Sequence, residues 1–357
     1  MAPSVLLYVG CYTNESSIGI HVYDWSDPAG DLVLLSHVER VEHPSFLAVH
    51  PDGDILYAVN ETALPEGGSL TAFRIDAVDG SLTTIDRAPS HGGAPCYVSV
   101  DPDGRHLYVA NYLSGAVAAY ALEPDGRFGD VVAVHQHHGR GPTSRQDGPH
   151  AHCVVPGPIG DSVYAADLGT DRVYRYVHDR HHDSDTFALI DELVLHAGAG
   201  PRHLAFHPEL PVGFLVCELD STIVTLELDP ADGRLTPLAS TSTLPDDFEG
   251  ESIAAEVRVH PTGRFVYVSN RGHDSIAVFA FAGAGEPLEP LGHVDSGGRT
   301  PRNFVVHPSG RALLVANQDS NTIVPFDIDL VTGMPQQVAG THSVAEPVCL
   351  TIVEIER

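Results

Sequence analysis

The chain repeats itself. Six stretches share one pattern: "PSFLAVHPDGDILYAVN" from Pro44, "PCYVSVDPDGRHLYVAN" from Pro95, "PHAHCVVPGPIGDSVYAAD" from Pro149, "PRHLAFHPELPVGFLVCE" from Pro201, "AAEVRVHPTGRFVYVSN" from Ala254 and "PRNFVVHPSGRALLVAN" from Pro301. Their starts lie 51, 54, 52, 53 and 47 residues apart. That period is too long for leucine-rich or helical repeats and matches one four-stranded propeller blade. Most units carry two β-rich runs around a Pro-x-Gly turn, where Pro presets φ and Gly accepts a positive φ. Alternating segments follow, such as "GSLTAFRID" and "GSLTTIDRA" around a D-G turn, and read as two further strands.

A seventh unit is divided between the chain ends. "PVCLTIVEIE" from Pro347 matches a first strand, and "LLYVGCYTN" from Leu6 matches a second strand with none before it. Pairing them closes a ring and removes the open sheet edges that a β-solenoid would leave. The expectation is an all-β, seven-bladed propeller, one domain over residues 1–357, with four antiparallel strands per blade.

Composition narrows the partners. The 48 acidic residues outweigh 19 basic ones, a formal net charge of −29, so the general field repels nucleic acid and anionic membrane. No run approaches the roughly 18 apolar residues of a membrane span, and "MAPSVLLYVG" lacks the basic start of a signal peptide, which points to a cytoplasmic protein. All 19 basic residues are Arg. Lysine Schiff-base chemistry is therefore excluded, and an anion site must use Arg forks or His. Cys11, Cys96, Cys153, Cys217 and Cys349 form no C-x-x-C pair and suggest buried thiols. There is no G-x-S-x-G elbow, Walker loop or dinucleotide glycine loop, and no cofactor is expected.

In an antiparallel hairpin the start of the first strand and the end of the second share one end of the blade. With first strands innermost, Ser45, Cys96, His150, Arg202, Ala255, Arg302 and Val348 converge with Asn60-Glu61, Asn111-Tyr112, Asp167, Glu218, Asn270-Arg271 and Asn317-Gln318. Equivalent slots filled by different polar residues suggest a ligand site. The plain alternative is an Arg202–Glu218 pair that only bridges strands.

On these motifs, above all "GPHAHCVV", "GAGPRHLAFHP", "CELDSTI" and "AAEVRVHPTGRFVYVSNRG", the chain resembles the seven-bladed propeller lactonases over essentially its full length. That group includes bacterial cycloisomerase-type 6-phosphogluconolactonases and the fungal 3-carboxy-cis,cis-muconate lactonising enzyme. The resemblance implies a site of His150, Arg202, Glu218 and Arg271, and a small anionic lactone as substrate. In that reading His150 is the general base or proton shuttle, Arg202 and Arg271 hold anionic groups or the oxyanion, and Glu218 orients them. His152, two residues on, is a binding candidate, as is Arg302 in the Arg202 slot.

The expected activity is hydrolysis of a sugar-acid lactone, 6-phosphogluconolactone first. A carboxymuconate cycloisomerase using the same histidine is the alternative within enzymes, and a non-catalytic interaction platform the alternative outside them. The clusters "HQHHGRGPTSRQDGPHAH" and "HDRHHDSD" place His135, His137, His138, His178, His181 and His182 in what read as solvated loops without metal-motif spacing. The segment Gln136 to Gly148 leads into His150 and reads as a candidate lid.

Overall fold

The computed structural model describes residues 4–14, 18–65, 67–179 and 186–355, which hold no helix. The strands form seven sheets. Blade 1 runs outward through Leu47–Val49, Ile55–Asn60, Ser69–Ile75 and Leu82–Pro89. The innermost strands of blades 2 to 6 are Pro95–Val100, Ala151–Pro156, Pro201–Phe206, Ile253–Val259 and Pro301–Val306. In blade 7 Pro347–Ile355 is innermost and pairs antiparallel with Ser4–Cys11, from Ser4 opposite Ile355 to Cys11 opposite Pro347. Each innermost strand neighbours those of the adjacent blades, so the ring is closed by the chain ends as the split unit requires.

The repeat is readable because each position has a fixed role. Second strands such as Ile55–Asn60 and His106–Asn111 are buried along their whole length, since neighbouring blades cover both faces. They are accordingly apolar runs, each large side chain contributing about 1.5–3 kcal/mol by burial. Fourth strands face solvent on one side and alternate accordingly.

Two recurring polar residues tie several blades to their neighbours. Tyr8, Tyr57 and Tyr267 donate from their hydroxyls to the carbonyls of Gly80, Gly126 and Gly333, at 2.8, 2.9 and 2.9 Å, and Tyr164 does the same to Gly233. The histidine before the Pro-x-Gly turn is the second tie: His50 Nε2 donates to the Gly104 carbonyl at 2.9 Å and His260 Nε2 to that of Gly310 at 2.8 Å. Gly104 has φ +69°, and a Cβ there would lie 2.4 Å from His50 Nε2, so turn and tie both demand glycine.

The histidine-rich segments depart from expectation. His135 lies within the strand Phe128–Gln136 and His178 within Arg172–Asp179. His137 is buried, its Nδ1 2.6 Å from Asp167 Oδ2 and its Nε2 2.7 Å from the Tyr176 hydroxyl, while Tyr108 contacts His178 Nδ1 at 2.6 Å. These rings satisfy buried polar groups between strands instead of lying in solvated loops. His138 is exposed; His181 and His182 lie outside the described residues. Among the described residues no cluster of His, Cys, Asp or Glu is arranged to hold a metal.

Candidate active site

At the start of the innermost strand, blades 2 to 7 slip register by one residue. In blade 4 Pro201 faces Cys217 and His203 faces Val216, leaving Arg202 unpaired. Such a bulge re-aims a side chain out of the ladder. The residues bulged in this way include Cys96, His152, Arg202, Arg302 and Val348, which surround the axis at one mouth.

A second ring comes from the residue just after, or closing, each second strand, anchored by its backbone N–H on the corner before the first strand. Tyr12, Glu61, Tyr112, Leu168, Glu218 and Gln318 donate in turn to the carbonyls of Glu346, His43, Ala94, His150, Gly200 and Thr300. Arg271, the last residue of the second strand of blade 5, occupies the same position there.

The register corrects one sequence assignment. Ala151, not Pro149, pairs with Asp167, so His152 occupies the slot of Arg202 and Arg302, and His150 sits in the corner before it. Blade 3 has two more residues ahead of its bulge than alignment on the proline implies.

The rings enclose a cavity of about 190 Å³ lined by Tyr12, Glu61, Cys96, Tyr112, Arg145, His152, Glu218, Arg271 and Arg302. Four of the six sequence candidates therefore line it: His152, Glu218, Arg271 and Arg302. Arg202 lies beneath, 2% exposed, its Nε donating to Glu218 Oε2 at 2.9 Å and Nη1 to the Ala255 carbonyl at 2.8 Å. His150 lies behind the wall, stacked on Tyr112 with centroids 4.6 Å apart and donating from Nδ1 to the Tyr112 carbonyl at 2.9 Å.

Glu218 is the hub. Its Oε2 also receives Arg271 Nη2 at 2.8 Å, and Oε1 receives Arg145 Nη2 at 2.8 Å. Burial alone would raise this carboxyl, but Arg271 and Arg202 outweigh it and hold Glu218 well below the usual carboxylate range. Burial lowers the Arg271 guanidinium to about 10, with Glu218 opposing, so it remains a cation at neutral pH. Burial also works against the Arg302 charge, yet Tyr12 and Glu61 more than offset it. Arg302 stacks 5.3 Å over the Tyr12 ring and makes no hydrogen bond or ion pair among the described residues.

His152 is 5% exposed, and its Nδ1 has no hydrogen-bond partner among the described residues. Burial first, then the charge of Arg202, pushes its pKa well below the ordinary imidazole value, so the ring is neutral at pH 7. Arg271 Nε is likewise buried and unpartnered. Four guanidiniums, those of Arg145, Arg202, Arg271 and Arg302, face two carboxylates, Glu61 and Glu218: a cationic island in a strongly acidic protein.

Glu61, Tyr112 and Cys96 belong to the converging slots in the sequence, but nothing there singles them out. Tyr12 escapes the slot reading, although "CYTN" places it where "NE" places Glu61. Arg145 comes from the segment after Gln136 and has no repeat counterpart.

A closed seven-bladed ring whose axial mouth gathers a neutral imidazole and several arginines around one small cavity is a β-propeller with a candidate small-molecule site on its axis. The comparison with known proteins makes the class specific: residues 6–352 match the family model for the lactonase, 7-bladed beta-propeller, and the chain belongs to that family. It is 35% identical over 347 residues to the 6-phosphogluconolactonase of Bacillus subtilis, covering 96% of this chain and 97% of that protein. It is 32% identical to the 6-phosphogluconolactonase of Formosa agariphila, covering 93% and 95%. The solved periplasmic gluconolactonase of Pseudomonas aeruginosa superposes with a TM-score of 0.91 at 31% identity over 99% of this chain and 100% of that one.

Proposed function

We propose that the protein hydrolyses a sugar-acid lactone, with 6-phosphogluconolactone the leading substrate. The observation that carries this reading is the buried, neutral His152 lining one cavity together with the Arg271 and Arg302 guanidiniums. In the reaction a water attacks the lactone carbonyl carbon while His152 accepts its proton. The carbonyl oxygen becomes an oxyanion met by a guanidinium fork. The ring C–O bond then breaks, its electron pair stays on the departing oxygen, and His152 returns the proton there. The product is an open-chain hydroxy acid, which sheds one proton to solvent as its carboxylate forms.

Arg271 suits the oxyanion role because it lines the cavity while its Nη2 is fixed on Glu218. Arg202 and Glu218 act as positioning residues for it. His150 braces Tyr112 from behind and is a positioning residue too. The five free, buried thiols suit a reducing compartment, and we place the protein in the cytoplasm.

The test is lactone opening, followed by proton release above the spontaneous rate, on freshly prepared 6-phosphogluconolactone and glucono-δ-lactone. His152→Asn should lose 10²- to 10⁴-fold in kcat, and His150→Asn much less. Full activity in His152→Asn, or turnover of a carboxymuconate in place of both lactones, overturns the reading.

A further inference from the structure

Family members act on both phosphorylated and unphosphorylated lactones by name, and which of the two this cavity takes turns on one side chain. We propose that Arg145 selects a phosphorylated sugar lactone, releasing Glu218 to grip the phosphate when substrate enters. This rests on reading the cavity as a lactone site.

Glu218 has two oxygens and three guanidinium partners. Arg202 and Arg271, on the rigid inner hairpins of blades 4 and 5, share Oε2, and Arg145 alone takes Oε1. The Glu218 charge is thus compensated without Arg145. The two fixed arginines are 2% and 11% exposed at their side chains, whereas Arg145 is 48% exposed at the rim. It is the third cation on one anion and the one with room to move. Exchange of a shared carboxylate for a phosphate dianion at a half-exposed site gains charge-assisted, forked hydrogen bonds while stranding no buried charge.

The backbone that carries Arg145 is pinned. Gln146 next to it is fully buried, its Nε2 donating to the Leu168 carbonyl at 2.8 Å and to Asp171 Oδ1 at 2.7 Å. The guanidinium therefore swings from a fixed root. Tyr112, whose hydroxyl accepts from Arg145 Nη2 at 3.3 Å, marks the inner limit of that swing. Orientation follows from burial: for its carbonyl to reach His152, the lactone ring must enter first, and the hydrated phosphate tail then trails at the rim beside Arg145.

The experiment compares the full chain with Arg145→Gln and Arg145→Lys on both lactones, with Arg140→Gln, an exposed charge on the same segment outside the cavity, as control. Arg145→Gln should lower kcat/KM for 6-phosphogluconolactone by 10- to 100-fold, chiefly through KM, and change glucono-δ-lactone by less than about threefold. Arg145→Lys should fall between, since it keeps the charge and loses the fork. Arg140→Gln should leave both within twofold. Calorimetric binding of 6-phosphogluconate should weaken in Arg145→Gln by the same factor as kcat/KM. Equal losses on both lactones, or no loss, overturn the proposal. Wild-type protein that binds 6-phosphogluconate through Arg145 but opens neither lactone would sink the hydrolase reading and leave this one standing; protein that does neither sinks both.

Discussion

Replacing Glu218 by Gln tests the electrostatic frame of the cavity. The carboxylate is 2% exposed and compensates Arg202, also 2% exposed, and Arg271, 11% exposed. The neutral amide keeps the shape but leaves these two guanidiniums without a countercharge, and removing one side of a buried ion pair costs about 3–5 kcal/mol. At about 2.1 cal/mol/K per residue, a chain of 357 residues has an unfolding entropy near 0.75 kcal/mol/K, so the loss lowers Tm by about 4–7 °C at pH 7. The effect has a pH signature. Because the folded carboxyl is held below its unfolded value of about 4.3, its stabilisation is complete above that value and fades as pH falls through the folded one. Differential scanning calorimetry from pH 7 to pH 3 should show the wild-type advantage over Glu218→Gln shrinking below about pH 4. A variant that melts within 1 °C of wild type at pH 7, or a gap that widens in acid, would refute the reasoning.

Other outcomes follow from the same geometry. Because His152 must be neutral to accept a proton and its pKa is pushed down by burial, kcat/KM on the lactone should hold as pH falls past about 6.5 and decline only below it; an acid limb centred above pH 7 would contradict its role. Tyr57→Phe removes the donor to the buried Gly126 carbonyl between blades 1 and 2 and should cost about 1–2 kcal/mol, or about 2 °C in Tm, without altering KM. Arg302→Gln takes from the cavity a guanidinium that has no hydrogen bond among the described residues, and should raise KM for an anionic lactone by about tenfold. These are read by steady-state kinetics and thermal melts.

The repeat carried the architecture because the blades share one pattern and several reuse the same residues in the same way. A Tyr and a His reach the next blade's glycine carbonyls, and glycine is required where they arrive. The lining of the candidate cavity was in part legible for the complementary reason, that residues free of those structural roles vary. Reading failed where local geometry breaks the period. "GPHAH" offers two histidines, and only the ladder, with Ala151 opposite Asp167, shows that His152 is the bulged one. His137 and His178 looked solvated by composition but are matched to Asp167, Tyr176 and Tyr108, partners at least 30 positions away. Arg145 lies on the segment read as a candidate lid, but that segment is outside the repeat, so nothing in the pattern marked the residue, which is placed by Gln146.

A crystal structure of the protein soaked with 6-phosphogluconate would show most directly what the paired rings of side chains are for. The account predicts the acid's carboxylate within hydrogen-bond reach of Arg271 and His152, with the phosphate against Arg145 at the rim. Density for the sugar acid at the opposite mouth, or on the outer strands with the arginine cavity unoccupied, would contradict it.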